Sequence, residues 1–202
     1  FGAKVIHPST MIPAVERRIP IIIKNTLNPA APGTLIGDGG GRAEHPITGI
    51  ASIDGISLLN IGGGGMIGIP GIAARIFSAL AREGVNIIMI SQASSEHTIS
   101  LVFKAGEADR ALGALRRELA LELETGRLDE LALARDLVVI SVIGENMRGT
   151  PGIAGRIFSA LGAAGVNVLV IAQGSSERNI SFVVAGGSDG AAIRPIHDAL
   201  LG

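Results

Sequence analysis

The chain contains an internal duplication. When the 202-residue sequence is shifted by 81 positions, residues 63–103 align with residues 144–184, and 24 of these 41 positions are identical. The shared segments include the tetrapeptide PGIA, the hexapeptide RIFSAL and the triplet SSE. Because self-similarity at a fixed offset indicates a repeated structural unit, the chain is predicted to fold as two copies of one small unit, copy one and copy two.

Copy one is predicted to be a β-α-β-β-α-β unit. Short runs of apolar and β-branched residues alternate with segments in which apolar residues recur at helical spacing. Too few residues separate the two middle strands for a crossover helix, so these strands should form an antiparallel hairpin. The charged side of the second helix is expected to face solvent. The predicted elements are strand 56–61, helix 70–83, strands 85–91 and 98–104, helix 108–123 and strand 128–134.

Copy two repeats this order but stops before its last strand. Its predicted elements are strand 137–144, helix 151–164, strands 166–172 and 179–185, and helix 191–201. The one unassigned β-rich run, Ile19–Lys24, is predicted to supply the missing strand, so that copy one is inserted into copy two. The fold class is therefore α+β, with two ferredoxin-like domains. The predicted segments are a linker helix in 1–18, a discontinuous domain of 19–36 plus 137–202, a connecting loop at 37–55 and an inserted domain at 56–136.

A glycine-rich turn precedes the first helix of copy one. Gly63, Gly65 and Gly68 satisfy the G-x-G-x-x-G pattern, but the next strand ends without an acidic residue and is followed by a hairpin, so no dinucleotide site is predicted. The first N–H groups of a helix lack intrahelical partners and suit an anion. Two alternatives stay open at residues 71–73 and 152–154: a bound small carboxylate, or a tight turn without a ligand.

Two polar pairs are kept in both copies. Gln92 matches Gln173 at the end of the second strand, where a side-chain amide can donate to and accept from a polar ligand. Asn86 matches Asn167 at the start of the same strand. Each pair also has a purely structural explanation, since glutamine can bind hairpin backbone and asparagine is common in turns.

Composition excludes several function classes. A net charge of -1 and 2% aromatic residues give neither the basic excess nor the stacking surface that nucleic acid needs. There is no cysteine, and the four histidines share no spacing, so no metal site is predicted and a reducing cytoplasm is expected. No nucleophile and base recur in both copies, so no catalytic residue is predicted. The apolar runs are shorter than the roughly 20 residues that cross a bilayer, so no membrane partner is expected.

The N-terminal segment and the hairpins carry a family resemblance. Residues Gly2–Ile36, GAKVIHPSTMIPAVERRIPIIIKNTLNPAAPGTLI, closely resemble the end of the catalytic domain and the start of the regulatory domain of aspartokinases. The two copies resemble the paired ACT domains that follow in that family. ISQASSEHTIS and IAQGSSERNIS resemble the threonine-sensitive type, as in bifunctional aspartokinase–homoserine dehydrogenases. The resemblance implies that 1–18 includes the end of a kinase domain and that ACT domains pair across a homodimer.

The resemblance also implies two sites for a regulatory amino acid. Threonine is favoured because lysine-sensitive members tend to have Thr or Ser where this chain has Gln92 and Gln173. No cofactor is implied for this segment, which should be inactive alone, since ATP and Mg²⁺ belong to the kinase domain. A lysine-responsive sensor and a dimerisation module without effector are the alternatives. The implied sites are Gly68, Gly71, Ala73 and Gln92 with Asn167 and Val168, and Gly149, Gly152, Ala154 and Gln173 with Asn86 and Ile87.

Overall fold

The computed structural model describes residues 6–37, 45–64, 70–92 and 98–202. The chain divides into two compact units, residues 1–44 and 45–202. The first unit contains helix α1 (Pro8–Glu16) and a small antiparallel sheet of β1 (Ile21–Ile23) and β2 (Thr34–Ile36). No helix in the described part of the chain is long and apolar enough to span a membrane.

The N-terminal strand does not complete copy two. The prediction for Ile19–Lys24 is wrong, because β1 pairs with β2 inside the first unit. The prediction of a connecting loop at 37–55 is also wrong in its last part, because strand β3 begins at Gly49. The local pattern correctly indicated a strand at Ile21–Ile23, but a local pattern does not determine which strand it pairs with.

The second unit is built on one six-stranded antiparallel sheet. Its strands lie in the order β4-β5-β3-β6-β8-β7, and the predicted hairpins of both copies are confirmed. The elements are β3 (Gly49–Gly62), α2 (Ile72–Arg82), β4 (Ile87–Gln92), β5 (Thr98–Lys104), α3 (Ala108–Glu118), α4 (Ala120–Glu124), β6 (Glu130–Ile143), α5 (Ile153–Ala163), β7 (Val170–Gln173), β8 (Asn179–Ala185) and α6 (Asp189–Leu201).

Two long strands are shared by both copies. Residues 49–53 of β3 pair with β6 and form the fourth strand of copy two, whereas residues 56–62 form the first strand of copy one and pair with β5. In β6, residues 130–134 form the fourth strand of copy one, and residues 137–143 form the first strand of copy two. Each copy therefore has the order β-α-β-β-α-β, and the two half-sheets are continuous.

The two halves of each long strand join at matched irregularities. The pairing register of β3 with β6 shifts between Ile53 and Leu58. Gly55 has φ +64° and Asp136 has φ +54°, and these two residues are 81 positions apart. The duplication thus extends to the joint, although the flanking residues differ in sequence.

Three apolar clusters hold the second unit together. Strand residues such as Leu101 and Phe103 pack against α2 and α3 in copy one, and Ile180 and Phe182 pack against α5 and α6 in copy two. A third cluster lies on the opposite face of the sheet, and we call it the inter-copy core. Both copies contribute residues to it, and these residues bury each other. Its buried members are Ile56, Leu58, Met89, Val102, Leu137, Val139, Val170 and Val183.

The second helix of copy one differs from the prediction in two ways. The chain breaks at Leu119, whose φ of -107° and ψ of 20° separate α3 from α4. The charged side is not entirely solvated, because Glu122 is only 6% exposed. Its carboxylate accepts hydrogen bonds from the Arg75 guanidinium of α2, which compensates the buried charge.

We expect Ser57→Ala to stabilise the fold by about 1 kcal/mol. Ser57 is fully buried, and its hydroxyl has no hydrogen-bond partner among the described residues. A buried polar group without a partner costs about 1–3 kcal/mol. Replacing serine with alanine removes this cost, but the small void that the missing oxygen leaves offsets part of the gain. The matching residue in copy two is the apolar Val138. Urea unfolding measures the change, and an equal or lower stability of the variant would contradict the assignment.

Candidate functional site

The helix starts of the two copies have the same geometry. Gly71 precedes α2 and Gly152 precedes α5, each with φ +87°, a left-handed conformation that favours glycine. Neither helix has a side-chain cap. The first turn of each helix therefore presents backbone N–H groups without intrahelical partners at the positive end of the helix dipole.

In each copy, the glutamine shared by the duplication lies at the same end of the sheet as the helix start. Strands β3 and β4 both run antiparallel to β5, so their carboxyl ends lie together, and α2 begins after β3 whereas Gln92 ends β4. Strands β6 and β7 relate to β8 in the same way, which places Gln173 at the end where α5 begins. Both glutamines are exposed.

A cavity of about 320 Å³ lies between the copies, at the end of the inter-copy core. Gln92 and Val168, which belong to the first implied site, line it together. Asn167 is exposed and directly precedes the lining residues, whereas Gly71 and Ala73 lie at the start of α2 outside the lining. Gly68 lies outside the described residues. The cavity is lined by Ser91, Gln92, Thr98 and Ser100 of copy one and by Val168, Leu169, Val170 and Ile171 of copy two.

A hydrogen bond joins the two edge strands beside the cavity. The Ser91 hydroxyl donates to the Ile171 carbonyl oxygen at 2.9 Å. Sequence comparison missed Ser91, because the matching residue in copy two is Ala172. The role of Ser91 becomes apparent only from the tertiary structure, in which β4 and β7 approach each other.

In each copy, a polar pair joins the first and third strands of the unit. The Ser100 hydroxyl donates to Asn60 Oδ1 at 2.7 Å, and the Ser141 and Ser181 hydroxyls lie 2.6 Å apart. The residues of one pair stand 81 positions from those of the other. Ser100 and Ser181 are identical in the two copies, so the duplication alone could have identified them as candidate polar residues.

The structure describes every residue of the second implied site. Gly149 has φ +66°, and its N–H donates to Glu177 Oε2 at 2.8 Å. The backbone N–H of Asn86 donates to Glu107 Oε1 at 3.4 Å, and Ile87 is half-buried opposite Phe103. Ala154 is half-buried in the first turn of α5. The loop before α5 is therefore tied to the hairpin of its own copy.

Among the residues that the structure describes, those lining the cavity include no charged side chain. Its polar groups are hydroxyls, one amide side chain and backbone, so a charged ligand group there would be balanced by dipoles. Among the described residues, no group of three or more His, Cys, Asp or Glu side chains could hold a metal ion. This donor set fits recognition of a small polar molecule through hydrogen bonds.

The architecture defines a tandem pair of ferredoxin-like domains with a polar cavity between them. A family model described as the ACT domain matches residues 59–119 and 140–200. The chain is 44% identical over 201 residues to the bifunctional aspartokinase/homoserine dehydrogenase of Haemophilus influenzae, covering 99% of this chain and 24% of that protein. The chain thus spans about a quarter of the length of that relative.

Two solved structures share the architecture. The regulatory subunit of aspartate kinase from Thermus flavus superposes with a TM-score of 0.66 at 31% identity, covering 76% of this chain and 97% of that subunit. Aspartokinase III of E. coli in complex with lysine and aspartate superposes with a TM-score of 0.76 at 26% identity, covering 100% of this chain and 43% of that one. The chain belongs to the ACT domain family, as a tandem pair of the type found in the regulatory regions of aspartate kinases.

Proposed function

We propose that this chain senses threonine for feedback inhibition of an aspartate kinase. The observation that carries the proposal is the cavity between the copies, where Gln92 of copy one and Val168 of copy two meet. Its volume of about 320 Å³ lies at the low end of the range of roughly 300–1,000 Å³ typical of ligand pockets, which suits a ligand as small as an amino acid.

The chemistry of the lining favours threonine over lysine. The ammonium group of a lysine side chain would have no carboxylate partner among the described lining residues, and a cation removed from water without one is costly. A threonine hydroxyl would find the hydroxyls of Ser91, Thr98 or Ser100 and the amide of Gln92. For the α-carboxylate, we assign the N–H groups in the first turn of α2, which lie outside the cavity lining but at the same end of the sheet as Gln92.

Effector binding would act on the kinase through a shift between two states. The parent reaction is ATP-dependent phosphorylation of the aspartate β-carboxylate, in a homodimer held through ACT domains. A coupling of about 1–3 kcal/mol between effector and kinase sites is typical of such regulation. The effector would need to bind the less active state more tightly by this amount.

Calorimetric titration of the 202-residue chain tests the proposal. We expect saturable heat with L-threonine and none with L-lysine. A variant with both Gln92→Ala and Gln173→Ala should lose at least about tenfold in affinity, because each substitution leaves polar ligand groups unpaired. The matched control replaces Ser78 and Ser159 with alanine, since these form another duplicated polar pair on exposed helix surface.

Three outcomes separate the alternatives. Heat with lysine alone would contradict threonine specificity and support a lysine sensor. No heat with either amino acid, from a folded dimer, would contradict sensing and support a structural dimerisation module. Equal loss in the serine control would contradict a specific role of the glutamines.

A further inference from the structure

Three contacts tie the loop before α5, residues 144–152, to the turn between β7 and β8, residues 174–178. The Gly149 N–H donates to Glu177 Oε2 at 2.8 Å. Arg178 Nη2 lies 2.8 Å from Glu145 Oε1, and the Gly144 N–H donates to the Arg178 carbonyl oxygen at 2.9 Å. Only the first of these contacts reaches a residue of the second implied site.

The backbone of Glu177 has an uncommon conformation. Its φ is +55°, in the left-handed region that L residues with side chains rarely adopt, and its N–H donates to the Gly174 carbonyl oxygen at 3.0 Å. Such conformations persist where the surroundings require them, and they cluster at ligand clamps. Here the residue with this conformation lies in a turn, and its carboxylate accepts a hydrogen bond from the Gly149 N–H.

The loop is anchored at its centre as well. Met147 is buried in the core of copy two, and the Thr150 N–H donates to the Met147 carbonyl oxygen at 3.1 Å. The Thr150 hydroxyl donates to the Asn146 carbonyl oxygen at 2.7 Å. Gly149 lies inside this anchored segment, three residues before Gly152, the residue that precedes α5. The position of Gly149 therefore sets how the loop approaches the helix start.

We propose that Glu177 is a positioning residue of the second effector site. Its carboxylate holds the Gly149 N–H, fixes the loop before α5 and thereby keeps the free N–H groups of the helix start in place relative to Gln173. Glu177 acts through Gly149 and does not itself touch the ligand. A loop ordered in advance spares the ligand the entropy cost of ordering it, so affinity rises. The proposal rests on the proposed function and adds a residue to it.

The test uses the chain with Gln92→Ala, so that binding reports the second site. In this background, Glu177→Ala should weaken L-threonine binding by about tenfold and speed hydrogen exchange of the Gly149 amide without ligand. Glu177→Gln keeps an oxygen acceptor, so its affinity should stay within about twofold and the amide should stay protected. The control Glu124→Ala removes an exposed carboxylate from α4 of copy one and should change neither quantity.

The outcomes separate this proposal from the proposed function. If the Gln92→Ala parent binds threonine but Glu177→Ala binds equally or more tightly, positioning by Glu177 is overturned and the sensor remains. If Glu177→Gln loses as much affinity as Glu177→Ala, the hydrogen bond to Gly149 is not the cause, which also overturns it. If the parent gives no heat with threonine while exchange of the Gly149 amide still responds, sensing at this site fails and this proposal fails with it.

Discussion

Gly144→Ala is expected to destabilise the protein by about 3 kcal/mol, the upper end of the usual cost of overpacking. Gly144 has φ -172°, an extended conformation that any residue adopts, so the glycine is required by contact and not by conformation. A Cβ there would overlap the Pro46 carbonyl oxygen and lie 2.6 Å from Ile47 Cα. Both are backbone atoms just before β3, so a methyl group would push the fourth strand of copy two away from β6.

Urea unfolding measures this loss, and the chain offers a matched control. Gly155 lies inside α5, a Cβ there meets nothing within 4 Å, and the matching residue in copy one is Ala74. Gly155→Ala should therefore stabilise the protein by about 0.5–1 kcal/mol. A cost below about 1 kcal/mol for Gly144→Ala would contradict the close contact.

The same close contact exists in copy one. A Cβ on Gly63 would lie 2.5 Å from the Arg127 carbonyl oxygen and 2.6 Å from Leu128 Cα. Gly63 and Gly144 are 81 positions apart, and so are Ile47 and Leu128. Each glycine therefore lies against the segment that leads into the fourth strand of its own copy. In copy one this strand is residues 130–134 of β6, and in copy two it is residues 49–53 of β3.

Arg75→Met is expected to cost about 2 kcal/mol at pH 7. The Arg75 guanidinium donates to Glu118 Oε1 at 3.1 Å, to the Glu118 carbonyl oxygen at 2.6 Å and to Glu122 Oε2 at 3.3 Å, and it also contacts Glu122 Oε1. Removing it leaves the buried Glu122 carboxylate without the guanidinium that donates hydrogen bonds to it. Breaking a buried pair costs about 3–5 kcal/mol, and we expect less because 41% of the Arg75 side chain is exposed.

The cost should depend on pH. The hydrogen bond from Arg75 lowers the pKa of Glu122 below its ordinary value of 4.5, although burial acts in the opposite direction. Hydrogen bonds from Arg75 and then Arg82 lower the pKa of Glu118 in the same way. A carboxylate with a depressed folded pKa stabilises the fold fully above its unfolded pKa, and this contribution is lost as pH falls through the folded pKa.

Urea unfolding across this pH range checks the second prediction. The stability difference between wild type and Arg75→Met should be largest near neutral pH and should shrink once the pH falls below 4.5. The control is Arg156→Met in copy two, where the guanidinium donates to the Ala199 carbonyl oxygen and alanine stands at the position of Glu118. Its cost should be smaller and independent of this titration. Equal costs and equal pH dependence in both variants would contradict the role of Glu122.

The site was only partly accessible from sequence. The duplication singled out Gln92, and the family resemblance placed Val168 with it; the cavity brings these two residues together. Ser91 was missed because Ala172 replaces it in copy two. Glu177 was visible as part of the shared SSE triplet, but its bond to Gly149 joins residues 28 apart, a contact that no local pattern specifies.

The sequence by itself determined the two copies, the hairpins and the approximate places of the helices, because apolar periodicity and turn signals act within a few residues. Only the tertiary structure decided which strand completes copy two. Residues 45–53 match 126–134 in position, yet only Ala51 and Ala132 are identical, because strand pairing depends on backbone hydrogen bonds that many sequences can form. The run Ile21–Ile23 was equally suited to a strand, and its pairing with Thr34–Ile36 was decided by long-range contacts. Other long-range contacts, within the second unit, bring β4 and β7 together beside the cavity between the copies.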